Sequence, residues 1–146
     1  MAFRIFLDAD VLLVYTLKGS GYGMVRRLME WVIAGRVQVF TSSAIIRDMA
    51  PALRKAYGVD QAQQLLLTLI PSVQIIDAGL ETVVTALQSK IDNIPGAISY
   101  HTALHHRLDY FITLNFELLQ VVNPVLPVKT PIDFLNQHAG QLARIN

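Results

Sequence analysis

Asp8 and Asp10 are the side chains of this sequence best placed to do chemistry. They close a short apolar run, Phe3-Arg4-Ile5-Phe6-Leu7, and no turn residue separates them from the apolar stretch Val11 to Tyr15 that follows. That order reads as a buried strand running straight into a helix. In an open α/β sheet, ligands bind in the crevice beyond the carboxyl ends of the strands, so two carboxylates at that junction stand where binding and catalysis occur. A purely structural reading makes Asp10 the helix cap, and one cap explains one acid. Histidines suggest a second chemistry, because His101 and His105 are four apart, a helical spacing that suits a pair of metal ligands. His101 shares its face with Ala97, Leu104 and Leu108, however, which makes it a packed core histidine and leaves His105 and His106 at the surface.

The elements that position these groups alternate along the chain. After the first helix a breaker cluster, Lys18 to Gly23, leads into a helix from Met24 to Ala34, with Val25, Leu28, Met29, Val32 and Ile33 at helical spacing. Tyr22 and Trp31 read as core or interface aromatics. Val37 to Phe40 is a second strand, closed by Thr41, Ser42 and Ser43, and one of those serines caps a helix that Pro51 should bend or restart. Asp60 to Gln63 resembles a capping box opening a further helix, which Pro71 stops. Val73 to Ile76 is a third strand, and Asp77 is the expected cap of a helix from Leu80 to Lys90. Pro95 opens a helix to Arg107. Tyr110 to Thr113 is a fourth strand, Asn115 to Leu119 a turn of helix, Val125 to Val128 a fifth strand, and Thr130-Pro131 opens a last helix through Leu135. This pattern predicts an α/β protein with three layers, α/β/α, around a central parallel sheet of about five strands with right-handed crossovers. Asp8, Asp10, Thr41, Ser42, Asp77, Thr113 and Asn115 then fall at strand ends, and Asp48 can reach the same edge from its helix.

Composition narrows the classes. With 146 residues, 53% hydrophobic and 16% charged, the chain is expected to form one ordered domain over residues 1–146. The apolar excess suits a sheet covered on both faces and a homodimer interface. No apolar run is long enough to span a bilayer and no secretory signal opens the chain. The lack of cysteine agrees with a cytoplasmic setting. A net charge of +1 gives no general attraction for nucleic acid, so RNA would need a local groove, to which Arg26, Arg27, Arg47, Arg54 and Lys55 could contribute.

Several stretches together resemble one family. IFLDADVLL is similar to an apolar strand followed by Asp, any residue, then Asn or Asp. VFTSSAIIRDM supplies a strand, Ser42 and, six residues on, Asp48 in place of the usual Glu. GAISYHTALHHRLDYFITLNFELL resembles an acid-led helix, a strand and a Thr-x-Asp turn, and VLPVKTPIDFL a closing strand with a Pro-led helix. Over nearly the whole chain this resembles the PIN-domain family, which includes the VapC-like toxins of bacterial toxin–antitoxin pairs. The resemblance implies a ribonuclease in which three or four carboxylates hold Mg²⁺ or Mn²⁺, the ion activating water and neutralising charge on the phosphate. It also implies RNA as substrate and a small antitoxin-like protein as partner. Asp8 and Asp48 match the family's acids, while the other two positions fall on Gly96 and Asn115, neither of which carries a charge. Asp92, four residues before Gly96, and Glu117, two after Asn115, are the replacements the sequence offers.

Two readings follow from the resemblance. The first is a divalent-metal-dependent endoribonuclease with an incomplete carboxylate site. There Asp8, Asp48 and Asn115 would be catalytic, Asp8, Asp48 and Asp92 would hold Mg²⁺ or Mn²⁺, and Asp10, Ser42 and Thr113 would support them. The second is a catalytically inactive PIN-like domain that binds RNA or protein. A third, from another class, treats Asp8-Ala9-Asp10 as the opening motif of a haloacid-dehalogenase-like phosphatase, with Asp8 as nucleophile and Asp10 as acid. Its later pair of metal-binding acids has no counterpart in TLNFELL.

Overall fold

The computed structural model describes residues 2–143. β1 (Phe3–Leu7) forms where the apolar run demands it, and its last three residues are fully buried. It is followed by α1 (Ala9–Leu17), α2 (Tyr22–Ile33) and β2 (Val37–Thr41). Next come α3 (Ser43–Tyr57), α4 (Val59–Leu69), a single 3-10 turn over Ile70–Ser72 and β3 (Gln74–Ile75). α5 (Leu80–Gln88), α6 (Ile94–His105), β4 (Tyr110–Ile112), α7 (Phe116–Leu119), β5 (Val128–Lys129) and α8 (Pro131–Ala143) complete the order. The five strands make one wholly parallel sheet in the order β3-β2-β1-β4-β5, between helical layers.

β1 lies at the centre because it is the strand buried on both faces. Phe3 to Phe6 pair with Val37 to Phe40 on one side, and Ile5 to Leu7 with Tyr110 to Ile112 on the other. Asp109 fixes that second register: its backbone N–H donates to Arg4 O at 2.7 Å, and its carboxylate accepts from Arg4 N–H at 2.8 Å. Phe6 and Phe111 stack across the pair, their ring centres 5.2 Å apart. The chain winds outward from β1 through β2 to β3, then returns to lay β4 on the opposite side. The order therefore reverses between β1 and β4, the position at which open α/β sheets leave a crevice.

Some local expectations are corrected. Asp8, not Asp10, caps α1, because Asp8 is extended and its Oδ1 accepts from Ala9 N–H at 2.8 Å. Asp10 lies in the first turn of that helix. Ser42 does cap α3, accepting from Ile45 N–H at 3.2 Å. α3 runs through Pro51 without a break. The carbonyl left without a donor belongs to Arg47, and both residues are exposed, so water can replace the lost bond. Asp60 stands in the first turn of α4, whose cap is Gly58 at φ +85°. α8 extends to Ala143, well past Leu135. Its Phe134 is fully buried against Phe3, Tyr110 and His138 and holds the helix to the sheet.

Candidate functional site

At the carboxyl end of β1, Asp8 is gripped from two sides. Its Oδ1 caps α1, and its Oδ2 accepts from the hydroxyl of Thr113 at 2.9 Å. Thr113 is fully buried just past the end of β4, and its hydroxyl oxygen also accepts from Asn115 N–H at 3.0 Å. Asp10 joins the group from the first turn of α1. Its Oδ2 lies 3.4 Å from the Thr113 hydroxyl and accepts from Leu114 N–H at 3.2 Å, while its Oδ1 is buried with no hydrogen-bond partner. Burial raises the pKa of Asp8 despite the bonds from Thr113 and Ala9. Burial, with the neighbouring charge of Asp8, pushes Asp10 up to about 6.

Asp8 also borders a crevice of about 480 Å³ that opens beyond the ends of β1, β2 and β3. Ser42, Ser43, Arg47 and Asp48 line it from α3 and its cap, Asp77 from the end of β3, and Val83, Ile94, Pro95 and Ile98 from α5 and α6. Asp48 is half exposed and paired with Arg47 Nε at 3.2 Å. Asp77 caps no helix of its own. Its Oδ1 instead accepts from the Ser43 hydroxyl at 2.6 Å and from Ser43 N–H at 2.9 Å, bonds that hold its pKa below the usual carboxylate value. α5, which Asp77 was expected to cap, begins at Gly79 without a side-chain cap.

The structure thus brings Asp8, Ser42 and Asp48 to one crevice and sets Asp10, Thr113 and Asn115 directly behind Asp8. Asn115 is committed locally, its Oδ1 accepting from Leu118 N–H at 3.1 Å as the cap of α7. Asp92 is exposed and is not among the residues that line the crevice; its backbone N–H donates to Glu117 Oε2 at 2.9 Å. His101 is half buried beside Tyr100, and burial lowers its pKa. It lines a groove between α5 and α6 with His105 and Glu81, apart from the crevice that Asp8 borders. Ser43, Arg47 and Asp77 also line the crevice. The sequence signalled Arg47 as a basic groove residue, Asp77 as an acid at a strand end and Ser43 only as a possible helix cap.

Comparison with solved structures finds this architecture elsewhere. The VapBC2 assembly of Rickettsia felis, in a structure bound to a DNA fragment from its promoter, contains a chain that superposes with a TM-score of 0.67. The two are 14% identical, and the match covers 88% of this chain and 98% of the other. The chain has a PIN-domain fold. The PIN domain of human SMG5 also matches, with a TM-score of 0.49 at 14% identity, covering 92% of this chain and 97% of that one. No family model matches the sequence, and no curated protein does.

The donor set of this PIN fold does not fit a carboxylate-held metal centre. Hard divalent ions want several oxygen ligands, usually charged. Here the four positions of the family pattern hold Asp8, Asp48, Gly96 and Asn115. Among the described residues no three His, Cys, Asp or Glu side chains gather closely enough to hold a metal ion. A Cβ at position 96 would stand 2.9 Å from Leu118 Cδ1, so an acid there would require the fully buried Leu118 side chain to shift.

Proposed function

We propose that this chain is a PIN-fold binding module that holds a segment of a partner protein in the crevice beyond β1, β2 and β3. The observation that carries the reading is the lining itself. Asp8, Asp48 and Asp77 stand against a single cation, Arg47, which is paired, and the remaining walls are largely apolar: Ile45, Val83, Ile94 and Ile98. Without a metal, three carboxylates repel a phosphodiester backbone, so RNA is poorly served. A peptide carrying Arg or Lys between apolar side chains satisfies both kinds of wall: the cation meets the acids and the apolar groups leave water. An antitoxin-like small protein is a partner of this type. The exposed apolar stripe of α5, Leu80, Val84 and Leu87, suits a homodimer in addition.

The ribonuclease reading retains one point in its favour, the presence of Asp8 and Asp48 on the same crevice. One pair of measurements separates the two. Fluorescence anisotropy with a labelled peptide of apolar-Arg-apolar pattern should show binding that Asp48→Asn weakens about tenfold, the worth of one charged contact. Labelled single-stranded RNA should stay intact in millimolar Mn²⁺. RNA cleavage that requires Mn²⁺ and disappears in Asp8→Ala would replace the binding module with the nuclease.

A further inference from the structure

We infer that the junction of α6 and α7 occupies the ground where this fold would hold the second half of a metal centre, and that the junction itself excludes Mg²⁺ and Mn²⁺. The inference rests on the metal-free crevice proposed above and adds a cause for it. Both oxygens of Glu117 are spent on consecutive backbone donors ahead of α6: Oε2 on Asp92 N–H at 2.9 Å, Oε1 on Asn93 N–H at 3.0 Å. Asn93 in turn caps α6 by accepting from Gly96 N–H at 3.0 Å. Leu118, one residue beyond Glu117, fills the space over Gly96, with a methyl 2.9 Å from where a Cβ would be. Asn115, three residues before Leu118, accepts from its N–H.

The oxygens of Glu117 and the side-chain carbonyl of Asn115 are therefore committed. Glu117 can turn toward Asp8 only by giving up both bonds at the start of α6, one of them to the part-buried Asn93 N–H, and Asn115 can offer its carbonyl only by uncapping α7. An acid at position 96 would need Leu118, fully buried, to repack first. Asn115, Glu117 and Leu118 on one side, with Asp92, Asn93 and Gly96 at the start of α6 on the other, act as a staple where a cation would otherwise bridge the same two elements.

The test follows the free Mn²⁺ signal by electron paramagnetic resonance as protein is added. Wild type should leave it unchanged. So should Asn115→Asp, which keeps the α7 cap because Asp caps as well as Asn. The triple variant Gly96→Asp, Leu118→Ala, Asn115→Asp should capture Mn²⁺ stoichiometrically, and adding Asp8→Ala should release it. Stoichiometric capture by wild type, or none by a triple variant that keeps its native circular dichroism, overturns the inference. Should the triple variant not fold, Glu117→Ala decides instead. Amide exchange at Asp92 and Asn93 should quicken about tenfold or more in metal-free buffer, and unchanged exchange would show that no staple exists. A crevice that binds no peptide would end the partner reading and leave these outcomes untouched.

Discussion

Asp10 shows how a single carboxylate can set the pH response of the fold. Its pKa rises from 3.8 to about 6 through burial and the charge of Asp8, so between those values the folded chain binds more protons than the unfolded one. Stability must then fall as pH rises through that window, because the buried charge is disfavoured only once it forms. Removing the ionisation removes that loss. Asp10→Asn should gain on wild type by about 1–2 kcal/mol between pH ~4 and pH ~7, after discounting for the solvent-exposed side of the group, as read from denaturant midpoints at the two pH values. An unchanged difference would mean that Asp10 is not desolvated. Thr113 supplies the complementary case: Thr113→Val keeps the shape but strips a donor from Asp8 and an acceptor from Asn115 N–H. That should cost about 1–3 kcal/mol at neutral pH, less in acid where Asp8 is protonated.

Among the elements, α3 shows why part of the site was legible in the sequence and part was not. Asp8 could be placed from strand type and Ser42 from its position before an apolar helix, because these depend on near neighbours, while Asp48 was singled out by the family resemblance. The bonds of Asp77 depend on distant ones. It lies three residues before α5, yet its partner is Ser43, 34 residues back, because parallel pairing of β3 with β2 sets the end of one strand beside the helix that leaves the other. Gly96 was visible as a missing acid, but that Leu118 closes the space above it required the packing of α7. The same ambiguity exchanged Asp8 and Asp10 as cap, since two acids one residue apart differ only in which one is extended. Asp77 gives its own test. A pKa held below 3.8 contributes stability present above that value and lost as pH falls through the depressed one. Asp77→Ala should lower the melting temperature at neutral pH, by the equivalent of about 0.3–1 kcal/mol for an exposed charge at a helix start, and should match wild type near pH ~2. A gap that persists in acid would assign Asp77 a role other than its charge.

Across the whole molecule, β1 ties the two halves of the chain together. One flank of the sheet is built from residues 9 to 75 and the other from 110 to 129, and β1 pairs with a strand of each. α8 adds a second tie: Phe134 packs on Phe3 of β1, on Tyr110 of β4 and near Trp31 of α2, with ring centres 5.9, 5.2 and 6.3 Å apart. Neither flank keeps a covered sheet if the other unfolds, so loss of structure should be all-or-none. Near-ultraviolet signals, which follow Trp31 and the tyrosines, should therefore melt together with the far-ultraviolet helix signal. Phe134→Ala, which empties the place where the three elements meet, should lower both midpoints equally at a cost of about 3–5 kcal/mol. Two separated transitions in that variant would show that the chain holds independent folding units joined at β1, and that the crevice lies within one of them.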